Sequence, residues 1–427
     1  MQTRIDAAIA DHAEAAFGLL EDLIAAPSLV GHEQGALEVF AREAAASGLE
    51  VSYLPFAPGP IDDPRAGIAP DPSRVSSDRF QIIARSPGNG ELKLLLNGHM
   101  DVVPADSPEM WTSPPFSPMR RDGRLYGRGS SDMKSGFAVG LLALRALRDV
   151  LPELFDCERI GFAAVIEEEC TGNGVLRSVT DYGVVAPEVI VLESTDMGLL
   201  LGGVGLLWVE VQVISQPQHA NSADRTANPV ELGMKLVEGL RTWAMELRST
   251  CPEQGLPPET DPYVVNIGRV EAGDWLSSSP AVARFGLRVG FPRGWSAETA
   301  ETRLRAAIAE IVDADPAFPV QPKVALTGFR AEGYLLNREH PLARDLARAH
   351  EQVHGEVPAA FMMGSTTDAR VYINDFDIPA LCYGASGGRF HGIDEYVELD
   401  SIVKAARTLA RFIVQRFKPE VLEEVAV

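Results

Sequence analysis

Three stretches of the chain end an apolar run in side chains able to do chemistry. "LLLNGHMD" delivers His99 and Asp101, "AAVIEEE" delivers Glu167, Glu168 and Glu169, and "VIVLES" delivers Glu193. Such nearly continuous apolar runs suit strands buried on both faces. In open α/β sheets ligands gather beyond the carboxyl ends of the strands, so three strands bring an imidazole and several carboxylates to one rim. "LYGRGSSDMKSG" adds Asp132 at a helix start, after glycines that permit a tight turn. "GGRFHGIDE" adds His391 in a glycine-rich loop. Taken singly, each has an ordinary explanation: a helix cap, a solvated loop histidine, a charge run in water. The glutamate triplet resists that explanation, because it follows apolar residues without a turn. Like charges stacked at a strand end are costly unless a cation compensates. Imidazole nitrogen and carboxylate oxygen together suit a pair of divalent ions, zinc first, with cobalt or manganese as alternatives.

A second arrangement competes for that role. Residues 350–354 read "HEQVH", which on a helix sets His350 and His354 on one face with Glu351 placed as a base. The helix expected over 341–354, closed by Gly355, already has an apolar face in Leu342, Leu346, Ala349 and Val353. The ligand extensions of related zinc motifs are absent. The motif therefore reads as an accident of sequence.

The elements that must position the first set alternate between helix and strand through residue 204. From residue 205 the pattern changes. "LLWVEVQVIS" alternates strictly from Trp208 to Ile214, and two helices and further alternating strands follow. Buried runs return after about residue 328. The expected architecture is an α/β catalytic domain (1–204 and 328–427), with a mostly parallel sheet and helices on both faces. An α+β lid or dimerisation domain (205–327) interrupts it. The strand at 206–215 is expected to offer an exposed edge for pairing with a second copy.

Composition narrows the function classes. At 427 residues the chain is long enough for two domains, and 46% hydrophobic residues can fill their cores. A formal net charge of −22 argues against a nucleic-acid partner and an anionic membrane surface. Cys157, Cys170, Cys251 and Cys382 lie far apart with no paired spacing, as in a reducing, cytoplasmic protein. The opening segment is interrupted by charges every few residues, which predicts an amphipathic helix rather than a signal peptide. No apolar run approaches the roughly 20 residues of a membrane span.

In order along the chain, "GHMDVVP", "WTSPPF", "DGRLYGRGSSDMKSG", "EEECTGNG" and "TTDAR…IPALCYG…H" resemble one family. It is the zinc-dependent deacylase and exopeptidase family of acetylornithine deacetylase, succinyl-diaminopimelate desuccinylase, aminoacylase and carboxypeptidase G. The resemblance is nearest to the acetylornithine deacetylase and desuccinylase branch. It implies that His99 and Glu193 hold one metal, Glu169 and His391 the other, and that Asp132 bridges them. It also implies that Asp101 orients the His99 imidazole and that Glu168 is the general base, with Glu167 as the alternative if the register shifts by one. His219 in "SQPQHANS" matches a histidine that the family lends to the partner subunit's site as an oxyanion donor. Arg288, Thr366 and Arg370 resemble binders of a substrate carboxylate. The implied activity is hydrolysis of the amide of an N-acyl amino acid or similar small anion by a homodimer, with a dipeptidase as the nearest rival.

Overall fold

The computed structural model describes residues 1–157 and 159–423. The apolar runs form strands: Leu94–His99, Ile160–Val165 and Val189–Val191 are buried along their whole length. They pair in parallel, with Ala380–Cys382 beyond Val189–Val191, at the centre of a nine-stranded sheet. Antiparallel pairs make its margins, Glu50–Pro55 with Phe80–Arg85 on one side and Leu199–Gly203 with Tyr334–Leu335 on the other.

Both faces of this sheet are covered. Helices Gln2–Ala25, Gln34–Ala46, Lys134–Val150, Pro341–His354 and Leu399–Phe417 contribute to the core on one face. Asn173–Thr180 and Ala369–Phe376 pack on the other. A strand between two helix layers has no wet side, which is why these runs are apolar at successive positions. The helix Lys134–Val150 lies unusually close to the sheet. A Cβ on Gly136 would stand 2.2 Å from the carbonyl oxygen of Leu192, the residue before Glu193. Glycine at this position lets the helix that follows Asp132 start directly against the strand that ends in Glu193.

The chain then builds a separate antiparallel sheet, in the order Val265–Ala272, Val282–Phe291, Gly205–Ile214, Lys323–Ala331. Helices Pro229–Thr250 and Ala297–Ala314 share one hydrophobic core with its inner face. The alternation from Trp208 is real: Val209, Val211 and Val213 are buried, while Trp208, Glu210 and Gln212 are half-buried. The expectation that this strand is an edge is wrong, because Gly205–Ile214 is hydrogen-bonded on both sides. Alternation reports which face of a strand is buried and says nothing about how many neighbours it has. The outer strands of the sheet are Val265–Ala272 and Lys323–Ala331, the second of which is bridged to Ile68 at Gly328.

A small third sheet brings two distant loops together. Tyr396–Glu398 pairs with Arg124–Tyr126, so the loop of His391 runs beside the loop of Asp132. Among the described residues no helix is long and apolar enough to cross a membrane. Cys170, Cys251 and Cys382 carry free thiols, and the side chain of Cys157 lies outside the described residues.

Candidate metal centre

Strand ends and loops from across the chain converge on one cluster. His99 closes its strand and is buried, with Nδ1 2.8 Å from the carbonyl oxygen of Asp101. A carbonyl only accepts, so Nδ1 carries the proton and Nε2 presents its lone pair to the cluster. Nε2 lies 3.2 Å from Asp132 Oδ1, 3.6 Å from Glu193 Oε1 and 3.8 Å from Glu168 Oε2. On the other side His391 Nε2 lies 3.2 Å from Asp132 Oδ2 and 3.1 Å from Glu169 Oε2. The two oxygens of Asp132 thus face one imidazole each. His99, Asp132 and Glu169 each offer a ligand atom within 4.8 Å of the others. The His391 side chain is 53% exposed and marks the side on which the cluster opens to solvent.

Neighbouring carboxylates fix these positions. The carboxylate of Asp101 accepts the backbone N–H of Glu168 at 3.3 Å and of Glu169 at 3.1 Å. It lies 3.8 Å from His99 Nδ1, so the nearest acceptor for that imidazole is the Asp101 carbonyl rather than its side chain. Glu167 has φ +65° and turns the opposite way from Glu168. Its carboxylate is buried against Arg79 Nη1 at 2.6 Å, and Arg79 also holds Glu33 at 2.8 Å. Of the two candidate bases, only Glu168 carries its carboxylate to His99. Arg79 and Glu33 went unnoticed in the sequence, as did Glu395. Buried Glu395 accepts the N–H groups of Gly129, Ser131 and Asp132. Asp368 is a further buried carboxylate, with Oδ2 3.1 Å from Asn97 Nδ2 and Oδ1 without a hydrogen-bond partner among the described residues.

The electrostatics fit divalent cations. Burial raises Glu168 well above the ordinary carboxylate range and Glu193 to about 8. Burial also opposes charge on His391, yet its hydrogen bonds to Asp132 and Glu169 push it up to about 11. A cluster that draws protons onto both kinds of side chain is short of positive charge. Buried Glu169 Oε1 has no hydrogen-bond partner among the described residues, which leaves a lone pair free for a metal ion. Nitrogen and oxygen donors in this number are those that zinc and similar ions take.

The remaining sequence candidates lie elsewhere. His219 is exposed, caps the short helix Ala220–Arg225 and faces the Asn221 amide oxygen at 2.8 Å. Arg288 reaches from the antiparallel sheet to the Gly364 carbonyl at 2.9 Å. Thr366 is buried, and its Oγ1 has no partner among the described residues. Arg370 is buried, donates to the Thr171 carbonyl at 2.6 Å and stands over the Phe329 ring. The "HEQVH" histidines sit on the helix Pro341–His354, with Gly355 at φ +79° as its cap. Of the apolar face expected there, Leu342, Leu346 and Ala349 are buried, whereas Val353 is only half-buried and His350 takes its place. His350 Nδ1 meets the Tyr383 hydroxyl and His354 Nε2 the Thr408 hydroxyl, each at 2.9 Å.

Comparison with known proteins agrees with this geometry. The model of peptidase family M20/M25/M40 matches residues 95–415. The chain is 27% identical over 347 residues to a succinyl-diaminopimelate desuccinylase of Paracoccus denitrificans (strain Pd 1222), covering 79% of this chain and 86% of that protein. It is 26% identical over 344 residues to an N-formyl-4-amino-5-aminomethyl-2-methylpyrimidine deformylase of Bacillus subtilis (strain 168), covering 75% and 78%. Among solved structures, the dipeptidase Dug1p of Saccharomyces cerevisiae superposes with a TM-score of 0.77 at 14% identity, covering 97% of this chain and 98% of that one. The resemblance read from "GHMDVVP" onward is borne out.

Proposed function

The chain belongs to peptidase family M20/M25/M40 and is a metal-dependent amide hydrolase, and we propose that it is a deacylase of N-acyl amino acids or closely related small anions. The observation that carries this reading is Arg288. Its guanidinium is half-buried, and burial lowers its pKa, yet no carboxylate pairs with it among the described residues. A desolvated cation without a counter-ion is costly unless a ligand supplies one. Thr366, with its free Oγ1, stands two residues beyond the Gly364 carbonyl that Arg288 grips. Together they suit a substrate carboxylate. Arg370 gives one N–H to the Thr171 carbonyl, and its other donors keep it a candidate for the same carboxylate.

In this reading His99 and Glu193 would hold one ion, Glu169 and His391 a second, and Asp132 would serve both. Zinc is the ion the donor set favours. Such ions polarise an amide carbonyl and make water a nucleophile at neutral pH. The chain's own part is proton transfer: Glu168 takes the proton of the attacking water and returns it to the leaving nitrogen. Its Oε2 stands 3.8 Å from His99 Nε2, beside the residues that would hold the ions, which places it within reach of a water between them. His219 would donate to the developing oxyanion of a second copy's site, in a homodimer joined through the antiparallel-sheet unit (205–327). Free thiols accord with a cytoplasmic setting.

The test is a substrate panel. Rates on N-acetyl, N-succinyl and N-formyl amino acids are compared with those on dipeptides of the same residues. A deacylase ignores the free α-amine, so the acyl series should lead. Faster turnover of every dipeptide would replace this reading with a dipeptidase. Arg288→Met should raise KM for anionic substrates and leave metal content unchanged.

A further inference from the structure

We propose that Glu395 is a positioning residue whose carboxylate holds the Asp132 loop in the pose that lets one side chain serve both halves of the metal centre. The inference rests on the role assigned above to Asp132. Glu395 is 0% exposed and accepts from four donors. Its Oε1 takes the backbone N–H of Ser131 at 2.8 Å and of Asp132 at 2.9 Å. Its Oε2 takes the backbone N–H of Gly129 at 2.9 Å and Arg128 Nη1 at 2.7 Å. The Gly127 N–H donates at 3.0 Å to the Glu395 backbone carbonyl as well. The Gly127–Asp132 segment thus wraps one buried anion, with its N–H groups converging as they do around a bound phosphate or sulfate.

The consequence lies one bond further on. The Asp132 N–H that Glu395 holds belongs to the residue whose oxygens stand 3.2 Å from His99 and 3.2 Å from His391. A carboxylate that faces two partners at once has little freedom of rotation, so its backbone must arrive in one place. Glu395 is also four residues from His391 in sequence and opens the strand pairing that aligns the two loops. One carboxylate therefore fixes the shared ligand relative to the ligand on its own loop. Residues that orient metal ligands in this way typically contribute about 10–100-fold in metal affinity.

Charge and acceptor count make the proposal specific. Glutamine at 395 would turn one of the two acceptor oxygens into an NH2 group facing two donors, so it cannot substitute for the carboxylate. The experiment titrates metal-free protein with Co²⁺, reading affinity by calorimetry and ligand environment by the visible absorption of bound cobalt. Wild type is compared with Glu395→Gln, Arg128→Met and Asp132→Asn. We expect Glu395→Gln to weaken cobalt binding by about 10–100-fold and alter the absorption bands. Arg128→Met removes one donor but leaves the three N–H contacts, so it should lower Tm while keeping cobalt affinity. A purely structural Glu395 would instead leave cobalt affinity at the wild-type value, or make the two variants equally weak; either result overturns the proposal. Asp132→Asn separates the two levels of inference. If it binds cobalt as wild type does, the assignment of the centre fails. If it binds weakly while Glu395→Gln binds normally, only the role of Glu395 fails. Should Glu395→Gln not fold, amide hydrogen exchange on the wild type decides. The N–H groups of residues 129, 131 and 132 should exchange as slowly without metal as with it, and fast exchange in the metal-free protein would refute the idea.

Discussion

Two pairs of histidines show how little residue type decides on its own. His350 and His354 meet at an interplanar angle of 54° with ring centroids 4.6 Å apart, and face the hydroxyls of Tyr383 and Thr408. His99 and His391 face Asp132, with Glu193 and Glu169 beside them. In the first pair burial, then the neighbouring ring, lowers His350 to about 4 and keeps it neutral. In the second, burial is outweighed by hydrogen bonds to carboxylates, and His391 rises to about 11. The first pair has the zinc-like spacing in sequence, and the second comes from residues 292 positions apart. What the imidazoles face, rather than their spacing, separates a packing device from a metal centre.

That contrast can be broken or sharpened by experiment. The largest effect should come from exchanging the two candidate bases. Glu168→Gln should lower kcat by about 10³–10⁴-fold with metal content unchanged, while Glu351→Gln, in the "HEQVH" motif, should leave kcat alone. Comparable losses in the two variants would restore that motif as a contender. His219 belongs to neither pair. His219→Ala should lower kcat by about 10²–10³-fold, as for the loss of an oxyanion donor, and co-expression with Glu168→Ala should return roughly a quarter of wild-type activity through mixed dimers. Recovery no greater than the sum of the separate mutants, in preparations containing mixed dimers, would place His219 outside any shared site.

Smaller effects concern stability and pH. His350→Ala should cost about 1–3 kcal/mol in unfolding free energy, since it removes a hydrogen bond to the buried Tyr383 hydroxyl and leaves a cavity, with metal stoichiometry unchanged. His391→Ala should do the reverse, losing an ion while its metal-free form unfolds at nearly the temperature of metal-free wild type. Acid should separate the pairs once more. His350 has a folded pKa below its unfolded value of 6.5, so the stability tied to its neutral form is present above that value and is lost as pH falls toward 4. His391 has a raised value, so an incoming ion must displace its proton, and metal affinity should climb with pH through the neutral range. Metal affinity that stays flat between pH 6 and 9, by calorimetry in matched buffers, would contradict the second half.

The sequence pointed to the residues that converge on this cluster because each ends a run of apolar residues or stands beside glycines, and a buried run that stops on a carboxylate has few ordinary explanations. It did not reveal what holds those ligands. Arg79 meets Glu33 and Glu167 across 46 and 88 residues, and nothing local to any of the three announces the pairing. The preference for Glu168 over Glu167 needed three-dimensional contacts, since Glu167 is held by Arg79 while Glu168 reaches toward His99. The misplaced edge strand has a similar origin. Alternation marks the buried face of Gly205–Ile214 against the helices, and hydrogen-bonded neighbours on either side leave no trace in side-chain polarity.

Asp101 and Glu395 grip the centre by backbone N–H groups: those of Glu168 and Glu169 for the first, those of Gly129, Ser131 and Asp132 for the second. Every residue except proline supplies an N–H. Side chains between the ligands, such as those of Ser130 and Ser131, can therefore be exchanged while the hold on the backbone persists. Ser131, whose own hydroxyl has no partner among the described residues, already shows this division between the peptide group that is held and the side chain that is not. Such a scaffold is robust to mutation at its grip and free to vary in chemistry, which favours descent into enzymes that cleave different amides around one unmoved centre.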